Sequence, residues 1–254
     1  MRLHRGLAAL GAALLTLAVL EGLARAPAVE AALPTPTYGS ARSDLDVKLA
    51  RIEAFARGGP VPCIALGSSM AAQGFDPAAF SAGYAQQAGE PLRCFNFGLN
   101  AYTASGNAPV AEMLVRRYRP ALLIFLTTPR DFSAAFDRLY PGWDSPTRWL
   151  RYQLGEFSVK GWLIDHSHAV RYALLLRDRL RPGGAEAIRA RAWLETLIRA
   201  DGYQPITDVE RVDLPPDRTA DAVAYALLWD YTLDPADLDG LGRILSLDGE
   251  GVQV

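Results

Sequence analysis

The chain has 254 residues, of which 50% are hydrophobic, and a formal net charge of −2 at pH 7. This length and composition exclude a disordered protein and favour one substantial folded domain. The arginines are spread over several amphipathic segments, so the charge pattern predicts no nucleic acid among the partners.

Residues 1–32 are predicted to act as a signal anchor or a signal peptide. The short basic flank MRLHRG precedes an apolar stretch from Gly6 to Ala24, close to the ~20 residues that a helix needs to cross a bilayer. As an anchor, this helix would place Glu21 near the far interface; as a signal peptide, it would be cleaved at small residues between 26 and 31. Because basic residues precede the segment, both interpretations place the domain on the outer side, periplasmic or extracellular.

Residues 33–60 are predicted to form a linker and a lead-in helix. The proline-rich, polar sequence LPTPTYGS at 33–40 is typical of an extended spacer. After it, apolar residues recur at helical spacing from Leu45 to Phe55 and stop at Gly58-Gly59.

Residues 61–254 are predicted to form one α/β domain. Short apolar runs predict three strands, and helical patterns lie between them; the strands are at 61–67, 92–98 and 121–127, and the helices at 76–89 and 105–118. Strands and helices that alternate with short joins predict a parallel sheet with right-handed crossovers. Cys63 and Cys94 fall on two of these strands, and we favour two small buried side chains over a disulfide there.

Residues 132–248 are predicted to be a helical insertion beside the sheet. Proline and glycine divide it into amphipathic helices, after Pro146, at about 168–181, at 185–200, and after Pro216 and Pro235, with a strand around 209–214 as the one exception. The final residues, LDGEGVQV, are typical of a helix end, a turn and the opening of a fourth strand. We therefore expect these residues to be the first part of a longer protein.

Short polar segments follow all three predicted strands. They are Gly67-Ser68-Ser69, 98–101 and 127–131. Because ligands bind at the carboxyl ends of parallel strands, we expect these segments to form a site. Ser69 has the position of an exposed nucleophile at this edge, while an ordinary strand-to-loop turn explains the same residues without any chemistry.

Three blocks together, IALGSSMAAQGFDP, CFNFGLNAYT and LLIFLTTPRDF, resemble the SGNH (GDSL-like) hydrolase superfamily. The likeness is strongest to its exported, membrane-anchored branches that are linked to acylation of cell-envelope polysaccharides, and it covers about residues 60–132. It implies a three-layer, flavodoxin-like parallel sheet with a helical insertion, after an N-terminal membrane helix.

The resemblance also implies site residues. Ser69 matches the nucleophile, and Ala101 stands where the family has a glycine whose backbone N–H stabilises the oxyanion; we expect alanine to keep that role if its φ is negative. The family's third block supplies an asparagine, whereas this chain has TTPRD, so Arg130 or the Thr128 hydroxyl would act as the donor. Alternatively, Arg130 and Asp131 form an ordinary surface ion pair.

The family's base is the histidine of an Asp-x-x-His sequence near the C-terminus. The local match is Asp165–His168, which precedes the insertion helix instead of following the last strand. Capping of that helix by Ser167 or Asp165 is a simpler account. His168 and His166 are therefore weak base candidates, and we expect the base beyond the fourth strand.

By this resemblance the protein is an exported serine esterase or O-acyltransferase that needs no metal or organic cofactor. Its substrate would be an acylated carbohydrate or another small acyl ester, and a membrane acyl-donor protein would be a partner. The main alternative is an inactive SGNH-like binding or scaffold module. An α/β-hydrolase elbow ranks lower, because the serine ends the first strand and we expect no helix directly after it.

Overall fold

Three short parallel strands lie at the centre of the computed structural model, which describes residues 2–40, 42–135, 142, 145–206 and 231–254, with backbone alone for 2–10, 13, 14 and 30. The strands are β1 (Cys63–Gly67), β2 (Cys94–Asn96) and β3 (Leu122–Leu126), in the order β2-β1-β3. The predicted α/β class and the parallel sheet are confirmed. Every residue of β1 is buried, as its apolar sequence and central position require.

Helices precede, connect and follow these strands. Their bounds are α1 (Arg2–Ala24), α2 (Pro27–Ala32), α3 (Ser43–Arg57), α4 (Ser69–Gly74), α5 (Pro77–Ala88), α6 (Ala104–Tyr118), α7 (Arg148–Gln153), α8 (Val159–His166), α9 (His168–Arg179), α10 (Gly184–Leu197) and α11 (Pro235–Ser246). Most of the predicted helices are found here, α5 with Asp76 as its N-cap. The short α8 lies where no helix is predicted. The predicted helix after Pro216 and the strand at 209–214 lie outside the described residues.

Other segments cover both edges of the sheet. On the β3 side, Gln253 pairs in parallel with Leu122, and the Leu123 N–H donates to the Gln253 carbonyl at 2.8 Å. The C-terminal residues therefore begin to extend the sheet as predicted. On the β2 side, the Asn96 N–H donates to the Asp201 carbonyl at 2.8 Å, so this edge also has a hydrogen-bond partner.

The residues predicted as spacer and lead-in helix pack into the domain. Thr37 and Tyr38 are buried, although the spacer interpretation places them in solvent. Helix α3 buries Leu45, Leu49 and Ile52 in the same core as the sheet. Its buried face also carries the charged residues Asp44, Asp46 and Lys48.

A disulfide joins Cys63 to Cys94. The expectation of two unbonded, small buried side chains is therefore wrong. The two cysteines are register partners at the start of β1 and β2, and their Cα atoms are 4.4 Å apart. The register of the two neighbouring parallel strands brings the cysteines within reach of each other. Sequence spacing alone does not specify that register.

The N-terminal helix contacts the helical block through its last turns. The Glu21 carboxylate accepts hydrogen bonds from the Ser167 hydroxyl at 2.6 Å and from the His168 and Ala169 N–H groups at the start of α9. Within the part of the chain whose side chains are described, no helix combines the length and the apolar character needed to cross a membrane. The predicted membrane helix falls partly on residues 2–10, 13 and 14, whose side chains lie outside that part.

Candidate active site

Ser69 lies at a sharp turn between the central strand and a helix. Gly67 ends β1 with φ +146°, and a Cβ at this position would lie 2.0 Å from the Leu126 carbonyl oxygen, so only glycine fits. Ser68 is buried, and Ser69 is half-buried at the start of α4. The expectation that no helix follows directly is wrong. The strand-turn-helix geometry presents the Ser69 hydroxyl at the carboxyl edge of the sheet.

The segment after β3 reaches this turn through Asp131. Its buried carboxylate accepts hydrogen bonds from the Ser68 hydroxyl at 2.9 Å and from the Thr128 N–H at 3.0 Å. These two bonds tie the third block to the first block of the predicted site. Asp131 is only 4% exposed, so the alternative of an ordinary surface ion pair with Arg130 does not describe it.

Arg130 places its guanidinium beside Ser69. Nη2 lies 3.4 Å from the Ser69 Oγ and 3.6 Å from the Asp131 Oδ1. The Arg130 Nε is buried and has no hydrogen-bond partner among the described residues. The Arg130 side chain is nevertheless 38% exposed. The N–H groups at its exposed tip can therefore donate to an anion next to the serine.

Ala101 lies at the same edge, after β2, and packs against Ala135. Its φ is +53°, so the condition of a negative φ is not met. A positive φ costs an L-residue about 1–2 kcal/mol and favours glycine. Ala101 adopts the conformation with its methyl group in place.

Two charged residues of the lead-in segment hold the loop that carries Ala101, residues 98–102, which we call the site loop. Arg42 and Asp44 are both 6% exposed and form a salt bridge at 2.8 Å. Asp44 accepts a hydrogen bond from the Asn100 N–H at 3.1 Å, and Arg42 donates to the Asn100 carbonyl. Sequence reasoning missed both residues because it assigned them to the linker. The available signal was charged residues at positions 44, 46 and 48, among the helix's apolar residues.

Asn96, the last residue of β2, connects the site loop to α4. Its Nδ2 donates to the Ala71 carbonyl at 2.7 Å and to the Phe75 carbonyl at 2.6 Å, while its Oδ1 accepts from the Gly98 N–H at 2.9 Å. The fully buried Lys48 donates to the same Oδ1 at 3.2 Å. Burial lowers the pKa of Lys48 to about 7, although Asp44 and Asp201 act in the opposite direction.

The weak base candidates lie away from Ser69. The Asp165 Oδ1 accepts hydrogen bonds from the Trp149 Nε1 at 2.9 Å and the Gln153 Nε2 at 2.7 Å, and it is 3.7 Å from Arg117. Arg117 is in the last turn of α6, just before β3 begins. Asp165 is therefore near the amino end of the strands, opposite the edge that carries Ser69.

His166 and His168 follow Asp165 at that distant position. The His166 ring stacks on Trp162 at 5.0 Å, and the His168 N–H donates to Glu21. Ser167 caps α9 by accepting from the Val170 N–H at 3.1 Å, so the capping interpretation is confirmed. The structure brings Arg130 to Ser69 and places Ala101 in the loop after β2, whereas these two histidines lie elsewhere.

Comparison of the chain with protein-family models, with curated proteins and with solved structures found no match. Among the described side chains, no group of three His, Cys, Asp or Glu residues could hold a metal ion.

Proposed function

We propose that Ser69 is the nucleophile of an exported, SGNH-like serine esterase or O-acyltransferase. The observation that carries this proposal is the 3.4 Å separation between the Ser69 Oγ and the Arg130 Nη2, at the carboxyl edge of the central strand. This edge is where parallel sheets bind ligands. A serine at a sharp turn beside a cation supplies two of the parts that acyl transfer requires, a nucleophile and a donor for the oxyanion.

In this chemistry a base, the histidine that the resemblance implies, accepts the Ser69 proton while the Oγ attacks the carbonyl carbon of an ester, and the carbonyl oxygen becomes negatively charged. Arg130 and the Ala101 N–H would donate hydrogen bonds to that oxygen. The base then returns the proton to the alcohol, which leaves as its C–O bond breaks. Water or a sugar hydroxyl gives its proton to the base and attacks the acyl-enzyme, and the Ser69 oxygen leaves and regains the proton. Removal of one such donor lowers the rate of other hydrolases by roughly 10²–10³-fold, and the charge of Arg130 strengthens its hydrogen bonds.

A second candidate function is an inactive SGNH-like module that binds or scaffolds. One specific observation favours it: Asp165, the acid beside the two candidate histidines, lies near the amino end of the strands and accepts hydrogen bonds from Trp149 and Gln153. A serine nucleophile needs a base that accepts its proton. The two candidates therefore differ in whether the Ser69 hydroxyl is activated.

We propose a three-layer, flavodoxin-like sheet and an N-terminal membrane helix that holds the domain on the outer side. The Cys63–Cys94 disulfide supports export, because disulfides persist in oxidising compartments. By resemblance, the substrate is an acylated carbohydrate or another small ester, and the partner is a membrane acyl-donor protein.

A fluorophosphonate probe tests the proposal, because it modifies activated serines covalently. We expect the full chain to be labelled at Ser69, the Ser69→Ala variant to remain unlabelled, and the matched control Ser81→Ala to be labelled like the wild type. Peptide mapping would identify the modified residue. Each reaction is repeated with added imidazole, and labelling of Ser69 that needs this external base still supports the nucleophile. If Ser69 were not labelled under either condition, the esterase or acyltransferase proposal would be overturned and the inactive binding module would remain.

Membrane attachment has a separate test. We expect the protein to stay in the membrane fraction after alkaline washing, and a tag at its C-terminus to be accessible from the outer side. Release into the soluble fraction with an N-terminus between residues 27 and 32 would instead show a cleaved signal peptide.

A further inference from the structure

We propose that the buried Arg42–Asp44 pair positions the Ala101 N–H as an oxyanion donor. The inference rests on the proposed acyl-transfer function and assigns a role to two residues that precede the sheet. Both belong to the lead-in segment, before the first strand, and neither touches Ser69 in any described contact. They act through the site loop.

The pair has a two-contact geometry. The Arg42 Nε lies 3.2 Å from the Asp44 Oδ1, and Nη2 lies 2.8 Å from Oδ2. The Leu45 N–H also donates to the Asp44 Oδ1 at 2.9 Å, which fixes the carboxylate at the start of α3. On its other side, the guanidinium lies 4.4 Å from the centre of the Tyr102 ring. Arg42 is therefore held from both sides in one orientation.

The contacts of the pair with Asn100 determine the direction of the Ala101 N–H. The Asn100 carbonyl and the Ala101 N–H belong to the same peptide unit, which is planar and trans, so they point in opposite directions. Arg42 donates to that carbonyl. By fixing the oxygen on the α3 side of the loop, Arg42 directs the N–H to the other side.

Asp44 fixes the preceding peptide unit through the Asn100 N–H. The Asn100 side chain adds a third contact, because its Nδ2 donates to the Gln204 Oε1 at 3.1 Å. A backbone hydrogen bond from the Tyr102 N–H to the Leu99 carbonyl at 3.3 Å also spans Ala101. Such restraints matter because donors that stabilise an oxyanion must be preorganised. The cation on the carbonyl oxygen also polarises the peptide and makes its N–H a stronger donor.

A second buried pair on α3 provides a matched control. Arg191 lies 2.6 Å from Asp46, and both side chains are almost fully buried, but neither has a described contact with the site loop. Arg42→Lys and Arg191→Lys keep the positive charge but replace the planar guanidinium, which can donate two parallel hydrogen bonds to a carboxylate, with a single ammonium group. Their structural consequences should be similar, so a difference in reactivity would come from the site loop.

The experiment measures fluorophosphonate labelling of Ser69 in the full chain and separates the maximal rate, kinact, from the probe's binding constant, KI. We expect Arg42→Lys to lower kinact roughly tenfold or more with KI unchanged, because the donor acts on the transition state. Arg191→Lys should retain the wild-type kinact within about twofold. Thermal unfolding verifies that both variants are folded at the assay temperature.

Asp44→Asn provides a second test if Arg42→Lys does not fold, and we expect kinact to fall in the same direction. Equal kinact values for Arg42→Lys and the wild type, or an equal loss in Arg191→Lys, would overturn the positioning role and leave the nucleophile in place. A wild-type chain in which Ser69 is not labelled would overturn the proposed function and this inference together.

Discussion

Two aspartates of helix α3 each form a buried pair with an arginine, and the two pairs have almost the same chemistry and different surroundings. Asp44 and Arg42 hold the site loop through Asn100. Asp46 and Arg191 join α3 to α10, and Asp46 also accepts from the Tyr38 N–H at 2.9 Å. Charge and burial are therefore similar in both pairs. The pairs differ in the backbone that each one contacts, which is Asn100 of the site loop for Arg42 and Asp44 and Tyr38 for Asp46.

The two ends of the sheet give the same lesson. The Asp165–His166 pair matches a catalytic pattern in sequence, but it lies near the amino end of the strands. The carboxyl end holds Ser69 and Arg130. The site loop at that end is held by Asp44 and Arg42, which match no such pattern. A residue's role follows from the strand end at which the fold places it, because only one end of a parallel sheet collects the loops that bind ligands.

The largest expected effect is on the free energy of unfolding, when the pair between Asp46 and Arg191 is broken. Asp46→Asn leaves the buried Arg191 without its counter-ion, and we expect a loss of about 3–5 kcal/mol in the free energy of unfolding. Labelling of Ser69 should be retained in the folded protein, since Asp46 has no described contact with the site loop. Urea unfolding and probe labelling measure the two properties.

Glu112→Gln is the control for this prediction. Glu112 pairs with Arg243 at 2.8 Å, but the arginine side chain is 49% exposed, so its loss should cost less than about 1 kcal/mol. If Asp46→Asn cost no more than Glu112→Gln, burial of the pair would not carry the energy assigned to it.

The third buried charge on α3, Lys48, predicts a pH dependence. Its pKa is about 7 in the folded protein against 10.5 as the ordinary value. Between these values the unfolded chain binds more protons, so this group makes stability rise with pH, by at most ~1.4 kcal/mol per pH unit. Lys48→Met removes this contribution, and the unfolding free energy between pH 7 and 9 should rise less steeply than in the wild type.

Parallel stability curves for Lys48→Met and the wild type would contradict this account. Lys160→Met is the control, because Lys160 lies on the surface of α8. Its curve should follow that of the wild type, which separates the effect of burial from the effect of one fewer lysine.

The smallest effect concerns the peptide that Arg42 orients. Ala101→Gly relieves the positive φ, a gain of about 1–2 kcal/mol, but glycine gains freedom in the unfolded chain and loses about 0.5–1 kcal/mol. We expect a net stabilisation of up to about 1 kcal/mol and unchanged kinact. Ala82→Gly, on the exposed face of α5, should instead destabilise by about 1 kcal/mol; equal losses in both variants would contradict a strained Ala101.

Several parts of the fold could be predicted because local patterns specify them. The apolar run before Gly67 predicts a covered strand, and Asp76-Pro77 predicts a helix start that the structure confirms. The positions of Ser69 and Arg130 follow from the same strand pattern. The disulfide could not be predicted, because it depends on the register between β1 and β2.

The site's support could not be predicted either. Arg42 and Asp44 are 58 and 56 residues from Asn100 in sequence, and no local period connects them. The polar, proline-rich sequence before α3 is typical of a spacer, but it packs into the domain because buried partners satisfy its polar groups. Thr37 is an example, since its hydroxyl accepts from the Gly39 N–H at 3.0 Å.

The sequence by itself determined the three strands, most of the helices and the polar residues that follow the strands, since these depend on hydrophobic periods and turn residues that act over a few positions. Only the tertiary structure decided which charged side chains meet. It brought the Arg42–Asp44 pair to Asn100 of the site loop and placed Asp165 near the opposite end of the sheet, because long-range packing selects partners that the sequence separates.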